Sequence, residues 1–399
     1  MLALFRDKIY LAVTVGHFTI DIFNNSGTVL VAFLGAPLGW TSTQFGFAIG
    51  AYQLFSALGQ PLFGWLADKL GTRWMGPGSL AWTLSFLVIS VIVVQQTENY
   101  WLFVIPFVLA SIGSSAFHPL GTKHAAEEAA LIAATGTAIF FLFGQTGLAV
   151  GPFLTGLILD SVGLSGLVML AVLAVPWVLF MTFAMRNTKP DADASILHSS
   201  DGSKKVVRWG AIILLAVLIG LRSWALLGTV SFLPKLFQGM GWSATAYGLI
   251  TGAFWMASAI TGVLAGGFAD RFGRREVTFI TLLTGSIALY FLPLNSGWGA
   301  FPVAIIVGGL LGASHSILVI ISQAILPGGR AFTSGVTLGF LFGTGALAAW
   351  GVGILADSWG LVIVIQAGAV VGGVSALLAL ALPSTRQSIQ PNTEGAPAG

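Results

Sequence analysis

Runs of twenty or more apolar residues follow one another along this chain with only short breaks between them. Inside hydrocarbon every backbone N–H and C=O must be satisfied within the protein, so such runs fold as spanning helices. A water-facing surface cannot be built instead. Only 8% of the 399 residues are charged, against about 25% in a soluble domain. The pattern predicts an all-α membrane protein of twelve spans. They run over 9–35, 43–68, 74–96, 101–122, 132–159, 164–185, 209–238, 244–269, 277–294, 301–325, 332–356 and 361–382. Turn formers mark the gaps: Gly39, Asn99, Gly163, Gly241, Gly297, Gly328 with Gly329, and Gly360. The first run continues to about Leu34, too long for the apolar region of a cleaved leader, and reads as a span.

Direction follows from the bases. With twelve spans, all of the 17 Lys and Arg residues except Lys235 and Arg222 fall on one side. Both termini are therefore expected in the cytoplasm, with the chain multi-pass in a cell membrane, such as a bacterial inner membrane. A missed span would scramble this segregation.

The chain also repeats itself. Gly64–Arg73, GWLADKLGTR, returns 202 positions later at Gly266–Arg275 as GGFADRFGRR. Gly39-Trp40-Thr41-Ser42-Thr43 returns as Gly241-Trp242-Ser243-Ala244-Thr245, and Asp160-Ser161-Val162-Gly163-Leu164 as Asp357-Ser358-Trp359-Gly360-Leu361. Phe141-Leu142-Phe143-Gly144 matches Phe340-Leu341-Phe342-Gly343. Two parallel six-helix repeats result, a design used by carriers that alternate access. The expected division is 1–185 for the first bundle, 186–208 for a cytoplasmic linker, 209–384 for the second bundle and 385–399 for a disordered tail.

The cassettes resemble the signature of the major facilitator superfamily between its second and third spans, with a second copy between spans 8 and 9. Gly144, Gly147, Gly151, Pro152 and Gly156 resemble the Gly-Pro motif of span 5 in its exporters. A narrower likeness is to the fosmidomycin resistance protein family. It rests on His17-Phe18 with Asp21, Tyr52-Gln53 with Gln60-Pro61, Gly113-Ser114-Ser115 with Phe117-His118-Pro119, and Ser316-Ile317-Leu318-Val319 with Leu326-Pro327-Gly328. Leu120 departs from it, standing where Glu or another polar residue is expected. The resemblance implies the major facilitator fold and export of small drugs against a proton gradient.

Ionisable groups inside spans are the informative ones, each costing about 2.5–3.5 kcal/mol at mid-span on insertion scales. Asp21 lies about 18 Å along span 1 at ~1.5 Å per residue. His17 precedes it by one turn on the same face, and Asn25 and Thr28 extend the stripe. Asp21 is the candidate site of a coupling proton, tuned by His17; the competing reading is a permanent hydrogen bond between helices. Arg222 lies at similar depth in span 7, one position from the repeat equivalent of Asp21. Its planar fork suits a carboxylate or phosphonate. It is expected to pair with Asp21 in the empty carrier and release it to an anionic substrate; a static pair, or a cation satisfied by backbone carbonyls, is the alternative. His118 and His315 hold equivalent depths in spans 4 and 10, His118 as a proton-coupling candidate and His315 as a substrate-binding one. Helix-to-helix hydrogen bonds explain them equally well. Lys123 and His124 are explained by snorkelling.

Tyr52, Gln53 and Gln145 are further candidates for lining a substrate cavity. The cassettes carry the gating candidates Gly64, Asp68, Arg73, Gly266, Asp270 and Arg274. In the fold resembled, Asp68 and Asp270 meet the starts of spans 11 and 5 when the inner side closes, where a helix N-terminus stabilises a carboxylate. The other reading is a bare topology signal.

Enzyme chemistry finds no footing. No phosphate-binding loop, metal cluster or nucleophile elbow stands out, and the chain has no cysteine. No cofactor, metal or nucleic acid is expected, and the chain is read as a monomer among membrane lipids. The function read is a proton-coupled exporter, an antiporter of a small amphipathic or anionic drug-like compound. Uptake or facilitated transport of a metabolite anion, or lipid flipping, are the alternatives.

Overall fold

The computed structural model describes residues 4–129, 133–188, 209–326 and 330–382. The tail, most of the expected linker with its charged residues, and the Gly328-Gly329 turn lie outside the described residues. Among those described, twelve long helices account for nearly the whole chain: α1 Lys8–Gly35, α2 Ser42–Leu70, α3 Met75–Thr97, α4 Tyr100–Glu127, α5 Ala133–Ser161 and α6 Leu164–Ala184 form the first half. The second half holds α7 Trp209–Gly239, α8 Ala244–Phe272, α9 Arg274–Phe291, α10 Ala300–Ile325, α11 Arg330–Trp359 and α12 Leu361–Ala379. Eleven are long and apolar enough to cross a membrane. Helix α2 is the exception, diluted by Thr43, Gln44, Gln53, Ser56 and Gln60. Helix α4 runs five residues past its expected end, to Glu127.

Helix starts follow local chemistry. Asp7 accepts from the Tyr10 N–H at 2.8 Å and caps α1. Thr41 and Gln44 form a reciprocal capping box at the start of α2. Asn99 caps α4.

The glycines of α5 explain its packing. An added Cβ on Gly147 or Gly151 would collide with the backbone oxygens of Phe18 and Ile22, so these positions let α5 lie directly on α1. Farther along, α5 turns to the other half, where Gly156 abuts Ala244 and Gly248 abuts Pro152. The pair α2 and α11 does the same by symmetry, Gly46 and Gly50 seating against the carbonyls of Ala349 and Ala346. These close contacts lie toward the ends remote from the cassettes. At the cassette end a Cβ added at Gly266 would meet nothing within 4 Å among the described residues, and the Asp68 and Asp270 side chains are 49% and 72% exposed. The two halves thus close at one end and part toward the cassettes.

Candidate functional site

The centre of the first half holds a carboxylate between two imidazoles. Asp21 on α1 is 4% exposed and His17, one turn earlier, 2%. His17 Nε2 lies 3.2 Å from Asp21 Oδ2, and His118 Nε2 on α4 lies 3.4 Å from Oδ1. The far nitrogen of each ring is committed. His17 Nδ1 donates to the Phe140 carbonyl at 2.9 Å and His118 Nδ1 to the Ser114 carbonyl at 2.8 Å. A carbonyl only accepts, so both Nδ1 atoms carry hydrogen and both Nε2 atoms face the carboxylate. An ionised Asp21 and bare Nε2 lone pairs would repel. A proton on one Nε2, or on the carboxyl oxygen that faces it, turns that contact attractive, so each of the two contacts calls for a proton of its own.

Asn24 completes it. Its amide donates to Asp21 Oδ1 at 2.8 Å and to Ser114 Oγ at 2.9 Å, while its carbonyl accepts from the Tyr52 hydroxyl at 2.7 Å. The stripe read from the sequence followed the i, i+4 series from His17 through Asp21 to Asn25 and so passed over Asn24. Asn25 points instead to the Leu148 carbonyl of α5. An Asn three residues after a buried Asp was the signal available. His17, Asp21 and His118 also offer donor atoms within 4.8 Å of one another, a set suited to a divalent transition ion. The sequence alone does not unite these donors, because they lie on two helices.

Arg222 occupies the second half. It is 1% exposed. Nε donates to Ser314 Oγ at 3.0 Å and Nη2 to the Leu311 carbonyl at 3.3 Å, and Nη1 has no partner. The expected pairing with Asp21 is absent: Arg222 forms no ion pair among the described residues, and Asp21 is taken by the two histidines and Asn24. A turn of π-helix, Trp224–Gly228, begins two residues after Arg222, a feature common at functional sites. His315 is half-buried beside Ser314, 6.2 Å from the Phe342 ring between centroids. It therefore joins Arg222 and not the Asp21 cluster. Leu120, the departure noted above, is fully buried.

The other candidates scatter. Gln53 reaches across the halves to Ser231 Oγ at 3.3 Å. Gln145 is half-buried, without a hydrogen bond among those described. Lys123 reaches the half-exposed Asp68 at 3.1 Å, while His124 is buried against Thr72 Oγ1 at 2.7 Å. Asp270 lies 3.7 Å from Arg274. Arg73 is exposed over the Trp74 ring, and Gly64 touches Pro119. Among the described residues, neither Asp68 nor Asp270 forms an ion pair or hydrogen bond with the opposite half.

The profile of the Major Facilitator Superfamily matches residues 13–243 and 212–399. The chain belongs to that superfamily. It is a membrane carrier of small molecules of the secondary type, not an enzyme. Among the superfamily's members it is 27% identical over 354 residues to the fosmidomycin resistance protein of Escherichia coli strain K12, covering 87% of this chain and 86% of the relative. It is 27% identical over 388 residues to the MFS-type transporter YfnC of Bacillus subtilis strain 168, covering 95% and 93%. Among solved structures, a bacterial homologue of the human lysosomal transporter Spinster, inward-facing and occupied, aligns with a TM-score of 0.74 at 16% identity. That alignment covers 94% of this chain and 96% of the other. The inward-open xylose transporter XylE of E. coli aligns equally, at 15% identity over 95% and 97%. These structures carry the fold: twelve helices in two parallel six-helix repeats.

Proposed function

We propose that this carrier is a proton-coupled exporter of a small amphipathic or anionic compound, working by alternating access in a cell membrane with the cassettes on the cytoplasmic side. The observation that carries the reading is the buried Arg222 guanidinium with an unpartnered Nη1. An unpaired cation held in apolar surroundings is costly. An anionic group entering between the halves relieves that cost and takes up the free donor in a charge-assisted bond. The relative named for fosmidomycin resistance favours export of a drug-like cargo.

Coupling is assigned to His17, Asp21 and His118. The His118 side chain is 23% exposed and is the most accessible member of the cluster. A cargo anchored by its anionic end at Arg222 reaches this cluster with a hydrogen-bond-donating end, in competition with a proton. Proton entry from outside then expels cargo, which is antiport. One observation favours uptake as a second reading. Arg222 and Asp21 are not paired, and an anion at Arg222 then favours a proton on the cluster, which is cotransport.

Proteoliposomes with an imposed pH gradient separate the two. Antiport accumulates a phosphonate or lipophilic drug against an opposed proton flow, and Asp21→Asn abolishes accumulation while sparing passive exchange. Asp21→Asn carriers that still concentrate cargo would end the coupling proposal.

A further inference from the structure

The closed end of the molecule is held by two carboxylates that the transport reading leaves unused. Asp160 ends α5 in the first half. Its Oδ1 accepts from the Ala244 N–H at 3.1 Å and its Oδ2 from the Thr245 N–H at 2.7 Å, the first two amides of α8 in the second half. Asp357 ends α11 in the second half. It accepts from the Ser42 and Thr43 N–H groups at 2.7 and 2.8 Å, the first two amides of α2 in the first half. Each half thus caps a helix of the other. The third amide of each helix is served from its own half, by Thr41 for α2 and by Ser243 for α8. The division of labour is the same at both places. An isolated helix leaves its first amides to water or to its own cap. Here the first two wait for an acceptor that arrives only when the halves meet.

The fit is built for approach. Gly353 lies against the Ser42 carbonyl and Gly156 against the Ala244 carbonyl, with no room for a Cβ at either. Each carboxylate therefore reaches its helix end across bare backbone. The repeated segments supply all the parts: Asp160 and Asp357 open one matched pair, and Thr41-Ser42-Thr43 and Ser243-Ala244-Thr245 lie in the other.

We propose that Asp160 and Asp357 are paired latches of the gate remote from the cassettes, each a carboxylate seated on the N-terminus of a helix in the opposite half. Parting the halves at this end returns four amides and two carboxylates to water, so the latches stabilise only the state seen here. Their counterparts at the other end are the cassette carboxylates Asp68 and Asp270, which bond to nothing across the halves among the described residues. The carrier exchanges one pair of caps for the other as it changes face. The proposal rests on alternating access alone, not on the cargo or the coupling ion.

The test reads the distance across the gate. The chain has no cysteine, so nitroxide labels at Gln96→Cys and Ser296→Cys, exposed on the closed side in the two halves, report it without background. The unlatched protein is expected to add a longer distance to the short one. Asp160→Ala or Asp357→Ala, which leave no acceptor for the helix amides, should raise the long-to-short ratio about 10-fold, and both together about 100-fold. A distribution unchanged in the double variant overturns the proposal.

Ser42→Pro and Ala244→Pro read the same contacts from the donor side, and keep the test open should the alanine variants fail to fold. Proline suits the first position of a helix, and the preceding Thr41 and Ser243 already have the extended backbone it requires. Each proline alone should shift the ratio the same way. Ser42→Pro added to Asp357→Ala should add little, because the contact is already gone. A full second shift would mean that the proline acts by its own strain, and would overturn the assignment.

Discussion

Gly144 lies flat against the imidazole of His17, and a Cβ there would meet the ring closer than carbon atoms approach in real proteins. Phe140 stacks on the same ring, with centroids 4.1 Å apart. Between them the ring has one plane to occupy, and in that plane Nε2 meets Asp21. Gly144→Ala is therefore expected to displace His17, break its bond to the Phe140 carbonyl, and cost about 1–3 kcal/mol from overpacking. Gradient-driven transport should fall about 10-fold with it. The repeat supplies the control. Gly343 is the counterpart and has nothing within 4 Å, so Gly343→Ala should be neutral or stabilising by up to ~1 kcal/mol. Melting in detergent and transport in proteoliposomes check both, and equal losses from the two would remove the special role given to Gly144.

Arg222 trades stability for binding. Its guanidinium is buried with two hydrogen bonds, no counter-charge among the described residues and one orphaned nitrogen. Arg222→Met keeps the volume and removes the buried charge. By analogy with other buried ions replaced by apolar residues, it should raise stability by about 1–4 kcal/mol. Anionic cargo should no longer bind, while uncharged lipophilic compounds are less affected. A variant that melts lower than the parent would show that the guanidinium is satisfied in the free protein, against the anion-anchor proposal.

Glu128 follows the last turn of α4, outside the spans. Partial burial comes first among the causes that push its carboxyl above the ordinary value, and repulsion from Asp7 and Glu127 adds to it. Folding thus raises the pKa of this acid. The folded state then binds the proton more tightly than the unfolded state does. Ionised Glu128 opposes folding at neutral pH, and the opposition is lifted as pH falls below the unfolded value. Glu128→Gln is expected to raise the melting temperature at pH 7–8 and to have no such effect near pH 4. A melting gain that persists unchanged into acid would mean that the carboxylate is not the source of the strain.

The helices were legible because hydrocarbon leaves a chain so few ways to satisfy its backbone, and the repeats because duplicated segments keep their spacing. Asp21 and His17 were legible for the same kind of reason, being one turn apart on one helix. The union of His118 with Asp21 was not, since periodicity says which face a residue occupies and not which neighbour that face meets. The expected Asp21–Arg222 pair failed on that point: matched depth in two halves is not contact, and each residue found partners within its own half. Asp160 and Asp357 were visible only as repeat markers, because their partners are backbone amides, which no side-chain pattern announces.

Asp68 is half-exposed and paired with Lys123 in the face-state seen here. An exposed pair of this kind is worth under ~1 kcal/mol, so Asp68→Asn should melt within about 1 kcal/mol of the parent. Its proposed work lies in the other state, where the end of α2 would meet the start of α11. Removing it therefore enriches the present state, opposite in sign to removing Asp160 or Asp357. Transport should slow about 10-fold, because the carrier must pass through the state that has lost its cap. Joining Asp68→Asn to Asp357→Ala weakens both states together and should return the distance distribution toward that of the parent. The gate-distance measurement decides it: an Asp68→Asn protein that opens the end remote from the cassettes more than the parent does would reverse the role assigned to the cassette carboxylates.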